Sequence, residues 1–215
     1  FALCVEENRI IAVGSRPELQ ERYPDATSIG NEHYLLTPSF TNSHDHGLGL
    51  GTFPLGAPDD LLEIWLPSLY SQPSVDPHLL TLWEGIQQLH AGVTLTAHSH
   101  NPQSWLRMEE ESEEVIRGYR EVGLRVAYHP PLVDQNPLVY ADREKFLAGL
   151  PSTVAEAAQR FLGRNPLSHE EYYALCHRLH THHHDSTNYT VHIQISPAGG
   201  QWCSDELIMG AVAFA

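Results

Sequence analysis

Four apolar runs, each closing on polar or imidazole side chains and separated by helix-like stretches, constrain the fold most. The runs are Ser39 to Ser43, Val93 to Ala97, Leu124 to Tyr128 and Tyr189 to Ile195. Between them, Leu79, Leu82, Trp83, Ile86 and Leu89 recur at helical spacing, as do Val115, Ile116 and Tyr119 in the acidic stretch Glu109 to Glu121. Short apolar runs alternating with longer amphipathic ones predict a parallel sheet whose crossovers are helices. Punctuation agrees: Asp76-Pro77 opens one helix with Pro in its first turn, and Gly92 ends it.

The first run ends in Ser43-His44-Asp45-His46. Side chains alternate along a strand, so His44 and His46 share one side and Asp45 takes the other. Two neutral imidazoles on one side of a strand end are half of a metal site, and imidazole nitrogen suits Zn or Fe. His98 and His100 repeat the pattern after the second run, and His129 ends the third. His98 and His100 read as substrate contacts, rival ligands or hydrogen-bonded structural histidines, with the His98 side chain turned toward the same mouth as His44. Gly47, Gly49, Gly51 and Gly56 make the following segment a loop of the kind on which sites are built.

The remaining stretches are quickly read. Residues 1–36 form short strands and turns: Val5 to Val13 around a Glu-Asn turn, a helical turn from Pro17 to Tyr23, and a returning strand at Tyr34 to Leu36. Asp59 to Leu66 is a short capped helix stopped by Pro67. A helical excursion runs from Arg143 to His180, broken at Pro151, with capping boxes at Thr153/Glu156 and Ser168/Glu171. The densest histidine cluster, Cys176 to Asp185, puts His177, His180 and His184 on the outer face of a helix that buries Tyr172, Leu175, Cys176 and Leu179. After the fourth run come Gln201 and Trp202, placed to line a substrate pocket, and Ser204 or Asp205, placed to cap the last helix.

Composition excludes several classes. Twelve basic residues against 27 acidic ones give a net charge of −15, with no basic stripe to meet phosphates, so a nucleic-acid partner is not expected. No apolar run approaches the ~20 residues of a membrane span. Cys4, Cys176 and Cys203 lack metal or disulfide spacing and read as reduced thiols of a cytoplasmic protein.

Four segments carry a resemblance to the amidohydrolase superfamily. Val5 to Gly14 looks like the hairpin of its small β-sandwich. Thr37-Pro38-Ser39-Phe40-Thr41-Asn42-Ser43-His44-Asp45-His46 is similar to its "P-G-F-x-N-x-H-x-H" entry into the first barrel strand, with Ser39 where glycine is usual. Ala91 to His98 is similar to its second strand, and Ile195 to Leu207 resembles the strand-four loop of the deaminase and triazine-hydrolase branch. The resemblance implies an α/β fold: about strands 1–4 of a (β/α)8 TIM barrel over residues 37–215, preceded by part of a small β-sandwich over residues 1–36. A closed barrel takes ~250 residues, so the chain reads as an N-terminal fragment, poorly soluble and inactive alone.

What the resemblance implies chemically is hydrolysis of carbon–nitrogen bonds other than peptide bonds. His44 and His46 hold part of one divalent metal ion, Zn or Fe, which lowers the pKa of a water from 15.7 toward ~7. His98, His100, Gln201 and Trp202 contact a small-molecule substrate, and the catalytic acid/base groups fall beyond Ala215. Binuclear relatives bridge two metals through a carboxylated Lys on strand four or a Glu on strand three. Here the single lysine is Lys145, in the helical excursion, which favours the mononuclear deaminase or aminohydrolase branch acting on nitrogen heterocycles. The alternative is a non-catalytic amidohydrolase-like scaffold. A homo-oligomer is expected of the full-length protein.

Overall fold

The computed structural model describes residues 1–48, 51–137, 139–162 and 167–215. Two compact units divide the chain, Phe1–Pro38 and Ser39–Ala215.

In the first unit, β1 (Ala2–Glu6) and β2 (Arg9–Gly14) pair antiparallel around Glu7-Asn8, where Glu7 adopts φ 54°. Helix α1 (Arg16–Arg22) starts from a capping box: Ser15 and Glu18 satisfy each other's backbone N–H. The returning strand expected at Tyr34 to Leu36 does not form. These residues carry no regular structure and their side chains are exposed, because neither β1 nor β2 extends its ladder to them.

The second unit is built on β3 (Phe40–Asp45), β4 (Val93–Ser99), β5 (Arg125–His129) and β6 (Val191–Ile193), a parallel sheet in that order. Helices fill the crossovers: α2 (Leu62–Tyr70) and α3 (Pro77–His90) after β3, α4 (Met108–Val122) after β4, α5 (Arg143–Ala148), α6 (Ser152–Leu162) and α7 (His169–His183) after β5, and α8 (Asp205–Phe214) after β6. Among the described residues the sheet does not close into a barrel.

Register sorts the side chains. Thr96, Val126 and Val191 lie in one row, and His98, Tyr128 and Ile193 in the next. All six are buried, with the apolar members packed against Met108, Val115, Ile116 and Tyr119 of α4 and Leu175 and Leu179 of α7. This helix-facing side is the core. The opposite side carries Ala97, Ser99, Ala127, His129 and His192, none of them fully buried. Helices α3 and α4 cross closely, since a β-carbon on Gly118 would stand 2.8 Å from Thr81 Cβ.

Several boundaries differ from the sequence expectation. β3 and β4 run two residues further, taking in His44 and His98, while the fourth strand shrinks to three residues. Pro67 does not stop α2. It sits inside the helix, where Ser68 Oγ donates to the Ile64 carbonyl and Ser71 N–H to that of Pro67. Proline removes one N–H, and these neighbouring bonds carry the turn onward. Asp60 accepts from Leu61 N, whereas the N-cap of α2 is Leu61 without a side-chain bond. Thr153 is not a cap either: α6 begins at Ser152, and the Pro151 carbonyl accepts from Val154 and Ala155. The Ser168/Glu171 box forms as expected. Gly49 and the middle of the Arg143–His180 excursion, 163–166, lie outside the described residues.

Candidate functional site

The strand end that carries His44 and His46 has a definite chemistry. His44 is exposed and His46 half-buried. His46 Nδ1 lies 2.9 Å from the Ser99 carbonyl oxygen. A carbonyl only accepts, so Nδ1 carries the proton and Nε2 is left with a lone pair. That lone pair faces His44: the two Nε2 atoms are 3.2 Å apart and the rings are nearly perpendicular, at 88°. Burial lowers the His46 pKa, the Ser99 carbonyl opposing it and His44 reinforcing it.

Two imidazole nitrogens at this spacing fit one divalent ion. His44 and His46 would be the residues to hold it, each through Nε2. The Ser99 bond is the kind of outer contact that fixes the tautomer of a metal-binding histidine. No group of three or more His, Cys, Asp or Glu is gathered for a metal among the described residues.

Behind the pair stands Asp45. Its Oδ1 accepts from Gly47 N at 2.7 Å and its Oδ2 from Asn42 Nδ2 at 2.8 Å. Glu84 of α3 faces it from the helix layer, its carboxyl pushed up by burial and by Asp45 against the bond from Gln88. Gly47 takes φ +65°, and a β-carbon there would stand 2.0 Å from His98 Cε1. A side chain at this position is barred both by conformation and by space.

His98 corrects the expectation that it points to the same mouth as His44. It is in register with Asp45, the residue on the opposite face from His44, and it is buried. Its Nδ1 is 2.9 Å from the Tyr119 hydroxyl of α4 and its ring lies against Tyr128. Burial, then the imidazoles of His100, His46 and His129, hold His98 well below the ordinary imidazole range. His100 is also buried, with Nε2 3.4 Å from Glu111 Oε2. Both imidazoles are thus buried on the helix-facing side of β4.

Gln201 and Trp202 lie in the turn before α8. The Gln201 carbonyl accepts from Asn136 Nδ2, and that of Trp202 from Asp134 and Gln135 N–H; the Trp202 ring sits 6.4 Å from Tyr140. These contacts bring them to the segment after β5 rather than to the His44–His46 pair. Next to them Asp134 accepts from Ser204 N and Oγ, at 2.7 and 2.5 Å, and from His169 Nε2 at 2.8 Å. Ser204 caps α8. Burial raises the Asp134 carboxyl, and the bonds from Ser204 and His169 outweigh it and hold it low.

His129 does face the mouth side: it donates from Nε2 to Gln194 Oε1 at 2.7 Å, and His44 lowers its pKa after burial has done so. Buried Cys176 has its thiol pushed up to about 12 by burial, and burial raises Cys203 as well. Neither is disposed to act as a nucleophile. Sequence reasoning missed Ser99, which contributes a carbonyl and so leaves no side-chain signal, and Tyr119 and Glu111, whose roles arise only when α4 is docked.

Comparison with known proteins agrees with this architecture. A family model, the imidazolonepropionase-like composite domain of bacteria, matches residues 2–26. A curated relative, 5-methylthioadenosine/S-adenosylhomocysteine deaminase 1 of Syntrophus aciditrophicus, is 29% identical over 140 residues, 62% of this chain and 29% of its own length. Triazine hydrolase from Arthobacter aurescens is similar in structure, with a TM-score of 0.56 at 14% identity over 82% of this chain and 38% of that one. A double variant of triazine hydrolase gives 0.61 at 14% identity over 83% and 38%. The chain thus spans less than two fifths of the length of these proteins. The hairpin unit resembles the imidazolonepropionase-like composite domain, the longer sequence match resembles a deaminase, and the parallel sheet shares the fold of triazine hydrolase.

Proposed function

We propose that this chain supplies strands one to four of a (β/α)8 barrel, and part of a β-sandwich over residues 1–36, to a metal-dependent hydrolase of carbon–nitrogen bonds in nitrogen heterocycles. The observation that carries the metal reading is the pairing of His46 with Ser99: a proton fixed on Nδ1 leaves Nε2 free, 3.2 Å from the Nε2 of His44. His44 and His46 would hold one divalent ion, Zn or Fe, and the ion would supply Lewis-acid activation of water. A mononuclear site suits the chain, since β5 carries no acidic residue, β6 reads Val191-His192-Ile193, and Lys145 is on α5.

The chain's own groups set the rest. Ser99 fixes the tautomer of His46, Asp45 holds the turn behind it, and His129 presents a ring to the same side of the sheet. The match to proteins named as a deaminase and a triazine hydrolase supports a small electron-poor ring as substrate. The test is metal content and ammonia release from aminated heterocycles, in the full-length protein that contains this chain and in its His44→Ala/His46→Ala form. Both should be lost in the double variant. Metal retained at the same stoichiometry would refute the assignment, and metal bound without turnover of any such ring would favour the scaffold reading.

A further inference from the structure

The chemistry proposed above leaves the buried histidines of β4 without a part, yet they belong to a continuous polar chain. Tyr119 Oη is 2.9 Å from His98 Nδ1, His98 Nε2 is 3.3 Å from His100 Nδ1, and His100 Nε2 is 3.4 Å from Glu111 Oε2. Glu111 accepts through both oxygens, from Gln103 N at 2.8 Å and Ser104 N at 2.9 Å, which anchors the far end to the backbone that follows β4.

The direction of this chain follows from donor arithmetic. Glu111 Oε2 at 3.4 Å would repel a lone pair, so His100 turns its Nε2 proton toward that oxygen without making a hydrogen bond, and its Nδ1 is then an acceptor. His98 must therefore donate from Nε2, which leaves its Nδ1 to accept from the Tyr119 hydroxyl. His100 Nε2 makes no shorter bond elsewhere, since it has no hydrogen-bond partner of ordinary geometry. The last link is thus an electrostatic contact, while the two inner links lock the His98 ring in one plane.

That plane lies directly under the turn leaving His46. The gap between Gly47 and the His98 ring is too small for a single methyl group. We propose that His98 is a positioning residue for the His44–His46 pair: its ring, held between Tyr119 and His100, is the floor on which Gly47 rests, and it sets where His46 presents Nε2. The inference rests on the metal reading of that pair.

Two measurements on the protein test it. Long-range ¹H–¹⁵N correlation of the imidazoles should show His98 protonated on Nε2; protonation on Nδ1 would overturn the inference. Zinc affinity, read by competition with a chromophoric chelator at neutral pH, gives the second. His44→Ala/His46→Ala should abolish the competing site. His98→Ala should keep the site but weaken it on the order of tenfold, the lower end for residues that orient metal ligands from behind. Tyr119→Phe, nearly isosteric, should weaken it about threefold, a smaller share of that outer-contact effect, and decides the matter if His98→Ala fails to fold. A lowered melting temperature with unchanged zinc affinity in both would make His98 a packing residue only and sink the inference. If the double-alanine form bound zinc like the parent, the metal reading itself would fall, and this inference with it.

Discussion

Two His-x-His pairs end neighbouring strands of one sheet, and they have opposite fates. His44 and His46 stand on the open side with their Nε2 atoms converging. His98 and His100 turn into the helix layer, stacked at 5.5 Å, His98 bonded to Tyr119 and His100 set beside Glu111 of α4. The first pair keeps its two Nε2 atoms on the open side, 3.2 Å apart. In the second, three of the four ring nitrogens are engaged by Tyr119 or by the other ring, and His100 Nε2 is set against Glu111 without a hydrogen bond. A motif at a strand end thus has no fixed meaning until its register with the next strand is known.

The sharpest way to break this comparison is at the residue between the pairs. Gly47→Ala places a methyl against His98 Cε1 in a backbone conformation that L residues avoid. Strain and overpacking together should destabilise by on the order of 3 kcal/mol or more. Urea unfolding would show it, and an unchanged midpoint would mean that the floor beneath His46 is soft.

Acid titration separates the pairs next. His98 is held well below 6.5 when folded, and His46 is lowered too. A histidine with a depressed folded pKa leaves the unfolded chain binding more protons in the window beneath 6.5. Stability is then complete above that pH and declines as the pH falls. A group staying neutral costs about 1 kcal/mol between pH 6.5 and 5.5. Unfolding midpoints over this range should fall, and should fall less in His98→Leu, normalised to its own value at pH 7. Equal slopes would show that the buried pair does not carry the acid sensitivity.

The smallest effect should come from His44→Ala. The ring is exposed, so the change in stability should stay within about 0.5 kcal/mol. A larger loss by thermal or urea unfolding would mean that the outer pair also serves the fold.

The order of strands and helices was legible because apolar runs and their Pro, Gly and capping residues are local signals. Ser168 with Glu171 and Asp76 with Pro77 act within one turn, and both appear as expected. Pro67 misled, since its helix continues through side-chain bonds that no periodicity records. The orientation of β4 was illegible for a deeper reason. Its residues alternate Val, Leu and Ala against Thr, Thr and His, and the polar-looking side proves to be the buried one. A parallel strand covered on its faces gives no polarity rule for which side meets the helices. The His44–His46 geometry could be read because it needs only the two-residue period of one strand, whereas Ser99, Tyr119 and Glu111 enter through contacts between elements.

The Asp134 carboxylate described above has a mechanical consequence. It grips the capping residue of α8 and the first residue of α7 at once, so two helix starts that lie 36 residues apart in sequence share a single pivot. A molecule that leaned on Gln201 or Trp202 and shifted the turn before α8 would have to drag the start of α7 with it or give up a charge-assisted bond. The segments after β5 and β6 are therefore tied together through that one carboxylate.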